Sequence, residues 1–364
     1  MWGAAAAIVF SAAAMEAPAG LAIPGSTVRL GAGAYRGPWR VAARVHVIAR
    51  GATVTAAAGT VVTVAGDGVT IEGLAIHAPP GGTGIEASDA RRLTLAGVEV
   101  GGGRRGVCLV RTGLSFHGGR VSGASEYGLW ARDATVDLAD LWLSARSAAV
   151  YVAGGEARAG ACDFSGGEYG ALAFRARIEI SASRFHGLFR AGVAATRSRC
   201  RLDHDRFEGP FTDAAVSAIG APAVELRGCR VTSAGAVGVK LVNSTATLSG
   251  DAIEGARSDA AGREGDGLYA FDSQVSSAGD RLIGEGGTGV TILGGKATVR
   301  GCRIERTGQE AAYVGEKGTL VLIGCAISQA PAGPMAGPGA TLRAERCKLD
   351  RVGQPDAGLP PGPR

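Results

Sequence analysis

The sequence predicts an all-β chain wound as a solenoid of about thirteen coils. Two observations carry this reading. A short phrase ending in an apolar residue recurs along the chain, closing at Ile76, Val100, Val121, Leu143, Phe164, Phe185, Phe207, Val231, Ile253, Leu282, Ile304, Ile327 and Leu349. The intervals run from 21 to 24 residues, apart from 29 between Ile253 and Leu282. Self-similarity at such a period marks an architecture in which each repeat covers the next, because one repeat cannot bury its own apolar face. Within the repeats, apolar positions alternate with a period of two, and no helical spacing competes after residue 25. The repeats are therefore built of strands.

Each repeat has two halves joined by Gly/Ser-rich turns. In the first half, seen at 297–304, Ala297, Val299, Cys302 and Ile304 face inward while Thr298, Arg300 and Arg303 face away. The second half reads Gly-apolar-x-apolar, as in Gly84-Ile-Glu-Ala87, Gly192-Val-Ala-Ala195 and Gly238-Val-Lys-Leu241. Two or three short strands in roughly 22 residues, with coils about 4.8 Å apart, describe one turn of a parallel β-helix.

The opening of the repeat region has Ser26-Thr-Val-Arg-Leu30, then the Gly-rich stretch 31–37, then the strand Arg44-Val-His-Val-Ile48. With these features and the repeats, residues 24–352 resemble the right-handed parallel β-helix proteins of the pectate-lyase-like superfamily. The resemblance implies the fold. It leaves function open among lyases, hydrolases, epimerases, tailspikes, adhesins and proteins without activity. The sequence lacks the paired aspartates with downstream Gly-His-Gly of polygalacturonase-like hydrolases. It also lacks the acidic calcium cluster facing an Arg of pectate lyases and the Asp-Pro-His motif of epimerases.

Three segments follow. Residues 1–23 read as a signal peptide or a disordered Ala-rich start, 24–352 as the β-helix, and 353–364 as a Pro-rich disordered tail. The apolar stretch 3–15 is too short to span a bilayer, which favours export to the periplasm, cell surface or medium. The formal charge of +5 comes from 38 basic and 33 acidic residues interspersed along the chain. No concentrated basic face marks a nucleic-acid partner. No CxxC or HxxxH spacing occurs among the seven cysteines and five histidines, so neither a metal nor a cofactor is expected, and nothing fixes the oligomeric state.

The inward rows read as structural. Cys162, Cys229, Cys302, Cys325 and Cys347 lie two residues before a closing residue, in one slot on different coils. Their Cβ vectors point in parallel, which predicts a ladder of free thiols in place of disulfides. Asp205, Asp251 and Asp280 share that slot and are placed to accept turn amides. Phe164, Phe185 and Phe207 predict stacked rings.

The outward rows hold the functional candidates. One row alternates in sign through Asp137, Arg158, Glu179, Arg201 and Glu225, a register device on a solvated face. His204 reads as surface decoration. Just after the closing residues stand His186, Glu208 and Glu254, with Phe189 and Phe211 three positions beyond the first two and a long insertion at 255–267. Loops on one edge of a rigid solenoid are where binding residues collect. Two coils between Glu208 and Glu254 give about 9–10 Å of rise, near the upper end of the carboxylate spacing in inverting glycosidases. His186, Glu208 and Glu254 are thus the catalytic candidates, with the insertion expected to fold over them. In the second-half outward row stand Glu86, Cys108, Trp130, Tyr151 and Ala173. Trp130 and Tyr151, with Phe189 and Phe211, are the candidates for stacking on sugar rings. Two readings remain: an exported β-helix rod that binds glycan or a surface partner without catalysis, or a polysaccharide hydrolase, lyase or epimerase acting at the loop edge.

Overall fold

The computed structural model describes residues 7–10, 19–257 and 265–353. Over these the chain is an all-β parallel solenoid of about 14 turns, and it divides into two compact units, Met1–Ile178 and Glu179–Arg364. In the first unit one closing column runs Tyr35, Val54, Ile76, Val100, Val121, Leu143, Phe164, each in register with the next. The second unit's column runs Phe185, Phe207, Val231, Ile253, Leu282, Ile304, Ile327, Leu349. All thirteen expected closing residues are present. Tyr35 and Val54 extend the column upstream, where the sequence phrase is too irregular to recognise.

Residues Ala7–Phe10, expected to lie in a signal peptide or a disordered start, form a strand in register with Thr27–Leu30. The rest of 1–18, residues 258–264 of the expected covering loop, and the tail 354–364 lie outside the described residues.

In most repeats the first half resolves into two strands, such as Lys296–Arg300 and Arg303–Glu305, while Gly113–Ala124 and Tyr127–Ala145 run on through the corner. The corner between them falls where a residue with positive φ, such as Gly228 (60°), His204 (57°) or Gly301 (59°), precedes the inward slot. The sharp corner aims the slot residue's own amide into the tube, where water cannot reach it. The side chain one coil on accepts that hydrogen. The Ser183 amide donates to Asp205 Oδ1 at 2.8 Å, Cys229 to Asp251 Oδ1 at 2.7 Å, and Asp251 to Asp280 Oδ1 at 2.8 Å. The Asp280 amide donates to Cys302 Sγ at 3.3 Å. Asp205 and Cys302 amides lean in the same way on the sulfurs of Cys229 and Cys325. In the second unit the slot therefore takes small side chains that carry an acceptor, Ser183 and then only Asp and Cys, whereas several first-unit coils fill it with apolar Leu74, Val98 and Leu141.

Every cysteine is a free thiol, and all are buried except Cys347, which is half-buried on the last coil. Burial pushes the Cys229 thiol up to about 12 and Cys162 and Cys325 up to about 11. Phe185 and Phe207 stack at 4.6 Å and 7°. His204 is exposed and hydrogen-bonded to its neighbour Asp203. The alternating charge row keeps its register, Asp137 beside Arg158 and Arg201 beside Glu225. Its ion pairs, however, also run along single strands, Arg158 with Glu156 at 2.8 Å and Arg227 with Glu225 at 3.2 Å.

The glycine that opens most second halves has a steric cause. A Cβ on Gly84 would collide with Val100, one on Gly192 with Phe207, and one on Gly238 with Ile253, in each case the next closing side chain. Gly238→Ala should therefore lose roughly 1–3 kcal/mol through overpacking, read as a drop of several degrees in Tm. An unchanged Tm would contradict this packing.

Burial pushes the Asp251 carboxyl up to about 7, aided by the Asp280 charge and opposed by amide bonds from Cys229 and Ser249. A folded-state pKa above the unfolded value gives stability that is full below about pH 4 and lost as pH rises through 7. The stability of wild type relative to Asp251→Asn should fall by a few kcal/mol, on the order of 1.4 per pKa unit, between pH 4 and 9. Denaturant titrations at both pH values check it, and a constant difference would contradict the burial of that charge.

Candidate functional site

On the second unit, the residue after each closing residue forms its own row. His186, Glu208, Thr232 and Glu254 are in register, and Ile283, Glu305 and Ser328 continue them. The three expected catalytic residues thus stand on one edge, with Glu208 and Glu254 two coils apart. Beside them runs a second row, Arg184, Arg206 and Arg230, and it decides the chemistry. Arg184 holds Glu208 with two bonds, Nε to Oε1 at 3.1 Å and Nη2 to Oε2 at 2.6 Å. Arg230 Nη2 donates to Glu254 Oε2 at 3.2 Å. The Arg184 bond holds the Glu208 carboxyl below the usual glutamate value. A glycosidic general acid needs the opposite shift, so that it still carries a proton at neutral pH.

Of the two expected edge rings, only Phe189 is exposed, at 63%; Phe211 is fully buried at 0%. Counting forward from Glu208 gives the wrong register because Gly209-Pro210 adds a residue. Counting back from the paired Ala191 and Ala214 puts Phe211 level with buried Leu188 and leaves Thr212 level with Phe189. Phe211 is a core residue and stacks on no ligand.

The same inward row brings in an acid that the sequence hid within Gly284-Glu-Gly-Gly287. Glu285 is 1% exposed. Its Oε2 accepts the Ala256 amide at 2.7 Å, and its Oε1 has no hydrogen-bond partner among the described residues. Burial, with the charges of Asp266 and Glu254, pushes it up to about 8. Its proton is poised, yet its carboxyl is closed off from any substrate.

The first unit carries the aromatic face. Glu86, Cys108, Trp130 and Tyr151 are in register. The next member is Leu172, not the expected Ala173, which is buried: as with Trp130 after Gly128, the outward side chain is the second after Gly170. Trp130 and Tyr151 stack at 6.4 Å and 18°, and Tyr127 leans on Tyr151 at 5.1 Å and 31°. Arg105 lies 4.6 Å over Trp130, with Arg132 at 5.7 Å. Glu126 faces Arg104 at 3.6 Å and Arg105 at 3.7 Å, and Glu86 accepts the Thr60 hydroxyl at 2.8 Å. The half-buried rings brace one another, leaving ring edges, tyrosine hydroxyls, guanidinium groups and carboxylates side by side. Cys108 beneath them is a buried thiol raised by desolvation.

A second feature of this unit went unread in the sequence. A groove of about 520 Å³ is lined by Arg91, Arg92, Thr94, Ser115, Asp133 and Asp137, among others. Asp89 neutralises Arg111 through bonds of 2.7 and 2.8 Å. Asp89, Arg111 and Asp133 are left-handed corner residues, at φ 58°, 47° and 52°, so in the sequence they read as turns.

Among the described residues no group of three His, Cys, Asp or Glu is arranged to hold a metal ion, and no helix is long and apolar enough to cross a membrane. No protein-family profile and no curated relative matches the sequence. Among solved structures the chain is similar to tailspike protein 3 of bacteriophage CBA120 at 12% identity, over 92% of this chain and 57% of that one, with a TM-score of 0.45. It is also similar to a periplasmic alginate epimerase at 8% identity, over 90% and 79%, with a TM-score of 0.43. The surface adhesin PfbA of Streptococcus pneumoniae matches at 9% identity, over 90% and 85%, with a TM-score of 0.35. The chain spans little more than half the length of the tailspike. All three are parallel β-helix proteins, and so is this chain.

The clamp on Glu208 is testable. Arg184→Gln should raise the pH at which the Glu208 carboxyl titrates, followed by carbon-13 NMR of that group. An unmoved titration would mean that the ion pair does not hold the carboxylate.

Proposed function

We propose that this chain is an exported β-helix that binds glycan without catalysis, through the aromatic face of its first unit. One observation carries the reading: Tyr127, Trp130 and Tyr151 form a braced, half-exposed wall set among Arg105, Arg132, Glu86 and Glu126. Such a wall offers apolar area to sugar C–H groups, with donors and acceptors for the hydroxyls around it. Its rigidity lowers the ordering cost of binding. Against the enzymatic alternative stands the arginine clamp on Glu208, which favours fixed charge over proton transfer.

A glycan array on the purified chain, followed by calorimetry on the best polymer, tests the proposal. Trp130→Ala and Tyr151→Ala should each weaken binding by roughly 1–3 kcal/mol, the burial of one aromatic side chain. Glu208→Gln and Phe189→Ala should leave it unchanged, and no polymer should be cleaved or epimerised. Loss confined to Arg92→Ala would move the contact to the groove. Turnover abolished by Glu208→Gln would replace this proposal with the enzymatic one.

A further inference from the structure

The first unit buries large apolar side chains in its opening coils, whereas the last coil of the second is uncovered among the described residues. Near the start, Leu21, Tyr35 and Trp39 are buried at 1–2% exposure, and Tyr35 and Trp39 pack edge to face at 5.9 Å. On the last coil, Leu342 sits over Leu320 and Leu349 over Ile327. Leu349 is nonetheless 59% exposed, while Ile327 beneath it is 1%. Lys348–Val352 pairs with Ala326–Ala330 on one side, and among the described residues its other edge has no strand partner. A strand edge of this kind is a template for another strand.

The charges on this strand suggest which strand. Lys348 and Asp350 flank Leu349 on the outward side, both exposed and with no ion-pair partner among the described residues. A two-fold axis level with Leu349, normal to the sheet and just outside the open edge, brings a second copy of the strand alongside in the antiparallel sense. Inward residues then meet inward residues. Leu349 meets its own copy, each Lys348 faces an Asp350, and each Asp350 faces a Lys348. Such self-complementarity is what an isologous interface requires. A one-residue slip would instead put inward against outward side chains.

We propose that the strand Lys348–Val352 is a self-association edge whose partner is a second copy of this chain, paired antiparallel about Leu349. The association covers the apolar end of the coil stack and gives its idle charges partners.

Sedimentation velocity of the full chain over a range of concentrations tests this. The wild type should form a dimer. Lys348→Asp sets four carboxylates together, and Asp350→Lys sets four ammonium groups together, so either change should raise the dimer dissociation constant at least tenfold. The double variant Lys348→Asp with Asp350→Lys restores every cross-strand pair and should dimerise like the wild type. All substitutions are at exposed positions of the last coil, and circular dichroism of each variant is the check that it folds. A monomeric wild type would overturn the proposal, as would a dimer indifferent to both single changes or a double variant that stays monomeric. A dimer broken by Arg343→Glu alone would place the axis on the neighbouring strand Thr341–Glu345 and overturn the pairing proposed.

Discussion

The second unit depends on one recurrent hydrogen bond. At each corner the chain turns sharply enough to aim a backbone amide at the dry interior, and an unmet buried donor costs about 1–3 kcal/mol. The side chain one coil further on accepts it: Asp205 for Ser183, Asp251 for Cys229, Asp280 for Asp251, Cys302 for Asp280. Each bond ties two coils, so the acceptors fix the register at the same time as they satisfy the backbone. The carboxylates hold two or more donors each and stay buried at the cost of a raised pKa, whereas the thiols are weaker acceptors that stay neutral.

This constraint explains what was legible in the sequence. Closing residues and slot residues are set by coil-to-coil contact at a nearly constant period, so their spacing survives in the one-dimensional chain. The opening glycines were visible as a motif, and their cause emerges only in three dimensions, where Gly238 abuts Ile253. Counting failed where the chain leaves the strands. Phe211 was placed outward because Gly209-Pro210 lengthens a turn by one residue, and only the pairing of Ala191 with Ala214 reveals the shift. Glu285 keeps the regular count, two residues after Ile283, but it stands among glycines in a turn, where no alternation marks a side chain as inward. The groove at Arg91 and Arg92 was hidden because its walls come from three successive coils, with Arg111 and Asp133 at corners among them.

Proximity along an edge also proved a poor guide to chemistry. His186, Glu208 and Glu254 share a row as the sequence indicates, yet a row is only half of the environment. The neighbouring column of arginines, two residues earlier in each coil, converts acids into ion-pair partners. The aromatic face shows the converse: Trp130 and Tyr151 could be named from their spacing, while Tyr127, Arg105 and Glu126, which brace and charge the wall, come from the adjacent column. In a solenoid each outward row takes its character from the row beside it.

Hydrogen exchange at single amides tests the corner bond most directly. The amides of Ser183, Cys229 and Asp251 lie at turns, yet their acceptors are buried side chains, so they should exchange as slowly as the strand amides of Phe207 and Val231. Exchange at the rate of open loops would contradict the account, since the coils would then be held in register by strand pairing and apolar contact alone.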